Sequence, residues 1–191
     1  VGAEPDHLWH SFTDSVVDLA LDMGVRMVVG LGAYPAPVPH TRAVQLSCTA
    51  SSDELASRIG FLRGSLEVPA GVQAAIEQHA DSVGIPSVGA WAQVPHYTAA
   101  MPYPAASLAL IEATAELTGL SLDAGDLASE ATVTESRIDE LVSGNDEHAA
   151  MVHALEVQAD ATPSPADLPS GDELAAELER FLRDQPPGPN L

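Results

Sequence analysis

The chain has 191 residues, enough for one domain with a sizeable core and a tail. It carries a net charge of −21, with seven arginines and no lysine, so its surface repels phosphate backbones and nucleic-acid binding is not expected. Apolar residues make up 46% of it, as in ordinary globular proteins, yet no apolar run reaches the about eighteen residues that a membrane helix needs, and no membrane partner is expected. A single cysteine, Cys48, excludes an intrachain disulfide framework and a cysteine-built zinc cluster. The opening residues hold Glu4 and Asp6 and lack a basic leader, so a reducing cytoplasm is the expected compartment. The acidity itself has two readings, solubility or docking to a basic partner.

In chain order, Pro5 and Asp6 open a first helix. Phe12, Val16, Leu19 and Met23 follow at spacings of four, three and four, which makes one apolar stripe, and Gly24 supplies a stop. VRMVVGLG, residues 25–32, reads as a strand of the buried, nearly continuous apolar type. AVQLSCTA, residues 43–50, alternates and is rich in β-formers, so it reads as a second strand with Cys48 a buried, inert thiol. Ser51 or Ser52 caps a short helix through Asp53, Glu54 and Leu55. VPAG, residues 68–71, leads into a helix with Val72, Ile76, Ala80 and Val83 on one face, ended by Gly84. Residues 85–96, IPSVGAWAQVPH, are the next strand and its exit. Pro104 starts a helix that Gly119 closes. Helix, strand, strand, helix, strand, helix is the pattern of an α/β sandwich with a partly parallel sheet.

Beyond Gly119 the texture turns helical. Leu127, Ala131, Thr134, Ile138 and Leu141 mark one helix, and a second runs over 145–158 with Met151, Val152 and Leu155 facing inward. The expected organisation is an α/β domain over 1–119, a helical extension over 120–160 and a Pro/Ser linker over 161–171. A short amphipathic helix over 172–184 and a disordered tail over 185–191 complete it. Leu174, Leu178 and Phe181 form a narrow stripe on that last helix, suited either to docking a partner or to packing on its own domain.

One stretch invites a chemical reading. Residues 30–42, GLGAYPAPVPHTR, begin with Gly-x-Gly like a dinucleotide loop. A phosphate loop needs a helix N-terminus directly after its glycines. Here Pro35, Pro37 and Pro39 remove donors and hold their predecessors extended, so no helix can start. The segment is expected to be a stiff, extended loop at a strand end, with no nucleotide cofactor.

The Val-Pro-His at 38–40 recurs at 94–96, again at a strand exit. In open α/β sheets, ligands lie outside the carboxyl ends of strands. His40, Arg42, His96 and Tyr97 are therefore the candidate pocket residues. The competing reading is that each Pro-His merely ends its strand, its imidazole bonded to a nearby carbonyl. His7 and His10, spaced i, i+3, lack a third ligand, so no metal is expected. His148 and His153 read as surface residues. No Gly-x-Ser-x-Gly elbow appears, and no catalytic residue is assigned.

PAPVPHTR, then VPAGV, then WAQVPHYTAAMPYPAASLALIEA resembles the bacterial branch of the proteasome assembly chaperone 2 (PAC2) family. The opening EPDHLWHSF and the tail LPSGDELAAELERFLRD are similar to actinobacterial members, so the resemblance spans almost the whole chain. It implies a three-layer αβα sandwich of the phosphorylase/hydrolase-like kind, self-associating, with a trimer as one candidate. It also implies further strands ahead of the Glu-Pro-Asp segment, so the sheet is expected to be completed by another piece of polypeptide. Eukaryotic relatives guide proteasome α-ring assembly without catalysis. Archaeal relatives engage proteasomes through a hydrophobic-Tyr-x C-terminus, whereas this chain ends in Gly-Pro-Asn-Leu. The expectation is a non-catalytic assembly factor that binds itself and another protein. Its rival is a small-molecule binder or enzyme with a strand-end pocket, in which His40 and His96 act as acid/base or anion-orienting groups and Arg42 grips an anionic ligand.

Overall fold

The computed structural model describes residues 5–50, 55 and 71–161. Three strands form one sheet in the order β1-β3-β2, with β1 Val28–Ala36, β2 Leu46–Ala50 and β3 Ser87–Pro95. β1 lies parallel to β3 in register from Val28 opposite Ser87 to Ala36 opposite Pro95. β2 runs antiparallel to β3, with Cys48 opposite Ala90. Five α-helices accompany them among the described residues: α1 Trp9–Asp22, α2 Val72–Ser82, α3 Pro104–Thr118, α4 Leu127–Ser143 and α5 Asp146–Ala161.

The central strand explains the layering. β3 reads SVGAWAQVP, and successive side chains point to opposite faces. Ala90 and Ala92, fully buried, meet Ala106 and Leu110 of α3, with Leu46, Val94 and Tyr103 around them. Ser87 and Gly89 point the other way, toward α2: the Ser87 hydroxyl donates to the Glu77 carbonyl at 2.9 Å. On that side Val17 of α1, Ala80 of α2 and Ile85 form a second core with Ala20, Val25 and Val28. Small residues along β3 let helices close on both faces, which gives the expected three-layer αβα sandwich. α4 packs on α3 and α5 on α4, with Ile138, Val152 and Leu155 buried.

Local signals set most boundaries. Pro104 occupies the first turn of α3, where its missing N–H costs nothing, and Gly119 ends the helix at φ 70° in the left-handed region. Three expectations shift. β1 does not stop at Gly32 but continues through Pro35 to Ala36, because no described strand pairs with its outer side and a proline there forfeits no ladder bond. β2 begins at Leu46 rather than Ala43. α1 starts at Trp9 and buries Thr13 and Val17, not the stripe from Phe12 to Met23. Phe12, Leu19 and Met23 are 40%, 58% and 72% exposed. Thr13 suits a buried face because its hydroxyl donates to the His10 carbonyl at 2.9 Å. Val83 and Leu141, also placed on inward stripes, are exposed. The short helix around Asp53, the linker over 161–171 and the terminal stripe of Leu174, Leu178 and Phe181 lie outside the described residues, apart from helical Leu55 and Ala161, which ends α5.

Candidate functional site

The Gly-x-Gly of β1 is a packing device. Gly30 and Gly89 stand opposite each other in the sheet, and α2 lays Gln73 and Glu77 across them. A Cβ at Gly30 would overlap the Gln73 amide and the Glu77 carboxyl, and one at Gly32 would overlap the Trp91 ring. Glu77 is 8% exposed. Its carboxyl accepts from Thr49 Oγ1 at 3.1 Å and from Gln73 Nε2 at 2.9 Å. A helix turn seated flat on a strand needs glycine beneath it, and this carboxyl fills the space that the two glycines leave. A cavity of about 310 Å³ lies beside it, walled by Thr49, Glu77, Asp81, Ser87 and Trp91.

At the other end of β1 and β3, the two Pro-His exits meet on one aromatic ring. After Pro95 the chain makes a single 3-10 turn, His96–Thr98, fixed by the Thr98 hydroxyl donating to the Pro95 carbonyl at 2.9 Å. This turn aims Tyr97 back at the β1–β2 loop. The Tyr97 oxygen accepts the backbone N–H of His40 at 2.9 Å and lies 2.8 Å from His40 Nδ1. His40 Nε2 lies 2.9 Å from Asp139 Oδ1 on α4. Burial pushes the Tyr97 phenol above its ordinary value; the His40 N–H pulls it down, while Glu156 and Asp139 push it further up. A neutral phenol donates to an Nδ1 that carries no proton, and in that tautomer Nε2–H faces the Asp139 carboxylate. His40 is 4% exposed with both ring nitrogens engaged.

His96 flanks the same ring from the other side. His96 and His40 both meet Tyr97 edge-on, with centroid separations of 5.4 Å and 5.8 Å. The His96 ring is exposed, with one long contact of 3.4 Å from Nδ1 to the Ala36 carbonyl. The structure thus brings His40, His96 and Tyr97 together.

Arg42 turns away from that ring toward α5. Its Nε and Nη2 donate to the two carboxylate oxygens of Asp160, each at 2.8 Å, a planar fork. Nη1 reaches the Thr41 carbonyl and hydroxyl at 3.2 Å and Glu156 Oε1 at 3.4 Å. The Thr41 hydroxyl donates to the same Glu156 oxygen at 2.6 Å. All three nitrogens of the guanidinium are therefore occupied from within the chain. An open cavity of about 440 Å³ between the loop and the α4–α5 hairpin is walled by His40, Asp139, Glu140, Val152 and Glu156. Its carboxylates make it hostile to an anion. Arg42 spends its carboxylate-gripping fork on Asp160, so an anionic ligand would have to displace a partner from the same chain.

Asp139, Thr41, Glu156 and Asp160 were not legible as site residues, because their partners lie far off in the chain. Together with His40 and Arg42 they stitch the β1–β2 loop to both late helices. Thr41 chiefly, and then Arg42, hold the Glu156 carboxyl below the usual carboxylate range, and Arg42 does the same for Asp160. A folded value depressed in this way favours the ionised form. The attachment is then fully present above about pH 4 and is lost as pH falls through the lower folded values. NMR shifts of α5 amides are expected to change below about pH 4 while those of β3 hold. Simultaneous change in both elements would show that these carboxylates do not fasten α5. Among the described residues no three His, Cys, Asp or Glu side chains cluster as a metal site, and no helix is long and apolar enough to cross a membrane.

Residues 1–142 match the model of the PAC2 family, and the chain belongs to that family. It is similar to a Mycobacterium tuberculosis protein of unknown function, with 38% identity and a TM-score of 0.79 over 84% of this chain and 56% of that one. A PAC2 family protein from Streptomyces avermitilis shares 33% identity, with a TM-score of 0.71 over 79% of this chain and 63% of that one. A Mycobacterium tuberculosis proteasome-assembly chaperone homologue gives the same identity and TM-score over 79% and 64%. This chain thus spans rather more than half the length of these solved relatives. No curated protein matches it significantly.

Proposed function

We propose that this chain is a non-catalytic assembly factor of the cytoplasm, which associates with itself and with another protein. The observation that supports this reading is how fully His40 and Arg42 are bonded within the chain. His40 has both nitrogens engaged, Arg42 has every nitrogen engaged, and the phenol between the imidazoles is held neutral. Groups so occupied act as fasteners, whereas catalysis and anion capture need donors that are vacant until substrate arrives. Similarity to a proteasome-assembly chaperone homologue agrees with a protein as the partner.

In this reading residues 1–119 form the α/β body, further strands complete the sheet on the outer side of β1, and the α4–α5 hairpin braces the strand exits. The stripe of Leu174, Leu178 and Phe181 then serves as a tethered docking element for a neighbour or for its own subunit. A panel of metabolites screened by thermal shift, beside light scattering across protein concentration, tests the proposal. Expected are no metabolite-dependent rise in Tm and a mass above that of one chain. A metabolite that stabilises the wild type by mass action but not His96→Ala would favour a strand-end binding pocket and end the assembly reading.

A further inference from the structure

Among the described residues nothing covers one apolar face of α1. Leu8, Phe12, Leu19 and Met23, with half-buried Val16 among them, lie along one side of the helix. From Phe12 their spacing of four, three and four is the seam of two helices packed side by side. Their exposure runs from 40% at Phe12 to 79% at Leu8. Leu8 adds a second feature. It starts the helix at φ 59°, ψ 38°, in the left-handed region, with no side-chain cap hydrogen bond. A leucine held there costs conformational energy, and nothing that its own chain buries in the described structure compensates it.

Charge selects the occupant. Asp18 and Asp22 border the seam on its solvent side, both exposed and ion-paired to no described residue, whereas Asp14 is engaged by His79 at 3.3 Å. Asp22 also sits in the last turn, where the helix already presents the negative end of its dipole and an acidic side chain is unfavourable. α1 has no lysine or arginine. A second copy brings the same aspartates, so like charges would meet along this seam.

We propose that the Leu8–Met23 face of α1 docks an amphipathic helix of a basic partner protein, about four turns long, with an apolar seam and a lysine or arginine flank facing Asp18 and Asp22. This rests on the protein-binding reading above and adds to it the face and the chemistry of the partner. Phe12 and Leu19 enter the partner's seam, and the aspartates steer it in and fix its direction.

The test uses the full chain and an 18-residue leucine/lysine peptide whose leucines follow the same seam spacing. A scrambled peptide of equal composition and a leucine/glutamate counterpart accompany it. Calorimetry is expected to give one peptide per chain for the seam peptide alone. The double change Phe12→Ser, Leu19→Ser is expected to weaken it at least tenfold. The pair Asp18→Asn, Asp22→Asn is expected to weaken it severalfold and to flatten its salt dependence. These side chains are exposed, and unchanged circular dichroism verifies the fold of each variant. Equal binding of the scrambled or the glutamate peptide overturns the proposal, as does unaltered binding by the serine variant. If the serine change instead splits an oligomer in light scattering, the face belongs to a second copy and the proposal fails. If no peptide binds although the protein still assembles with itself or retains a protein partner, this face is wrong and the assembly reading stands.

Discussion

The His40→Ala protein is expected to lose about 3 kcal/mol of stability, a Tm drop of roughly 6–12 °C for a chain of this size. Two effects compete in that figure. Asp139 is largely exposed, so water replaces its lost partner at little cost. The imidazole is buried, and its removal opens a hole while leaving the half-buried Tyr97 hydroxyl without an acceptor for its proton. The second effect dominates. Asp139→Ala should therefore cost under about 1 kcal/mol, both variants being measured by urea titration. If His40→Ala costs as little as Asp139→Ala, the ring does not hold the two strand exits together.

Gly30→Val is expected to destabilise by about 2–3 kcal/mol through overpacking. The new side chain would occupy the space of the Gln73 amide and the Glu77 carboxyl. Either group is flexible at its tip, but Glu77 is tied by Thr49 and Gln73 between helix and sheet, so it yields only by giving up both bonds. Adding Glu77→Ala to Gly30→Val should return part of the loss, giving a favourable coupling in a double-mutant cycle. Strict additivity in that cycle would mean that the glycine is not there for the carboxyl.

Much of the architecture could be read before the coordinates, for local reasons. Pro104 and Gly119 bracket α3 by their own backbone restrictions, and the run of small and apolar residues in β3 needs helices on both faces. The recurrence of Val-Pro-His placed both imidazoles at strand exits, and they flank one tyrosine. What stayed hidden is non-local. Asp139 meets His40 across 99 residues, and Asp160 meets Arg42 across 118, with no spacing rule to link them. Periodicity failed differently on α1. It finds which side of a helix is apolar, not which side is covered, and Thr13 hides its hydroxyl against its own helix well enough to be buried. Glu77 escaped notice because a lone glutamate on a helix ordinarily faces water. The clue was Gly30, a glycine between Val29 and Leu31 in a strand, where a missing side chain marks a close approach.

β1 offers nine residues of extended backbone whose outer side meets no other described strand. Pro35 blunts only one end of that row of N–H and C=O groups, which no described strand pairs. Such a margin is a template for one more strand, which in the assembly reading is where the completing polypeptide adds.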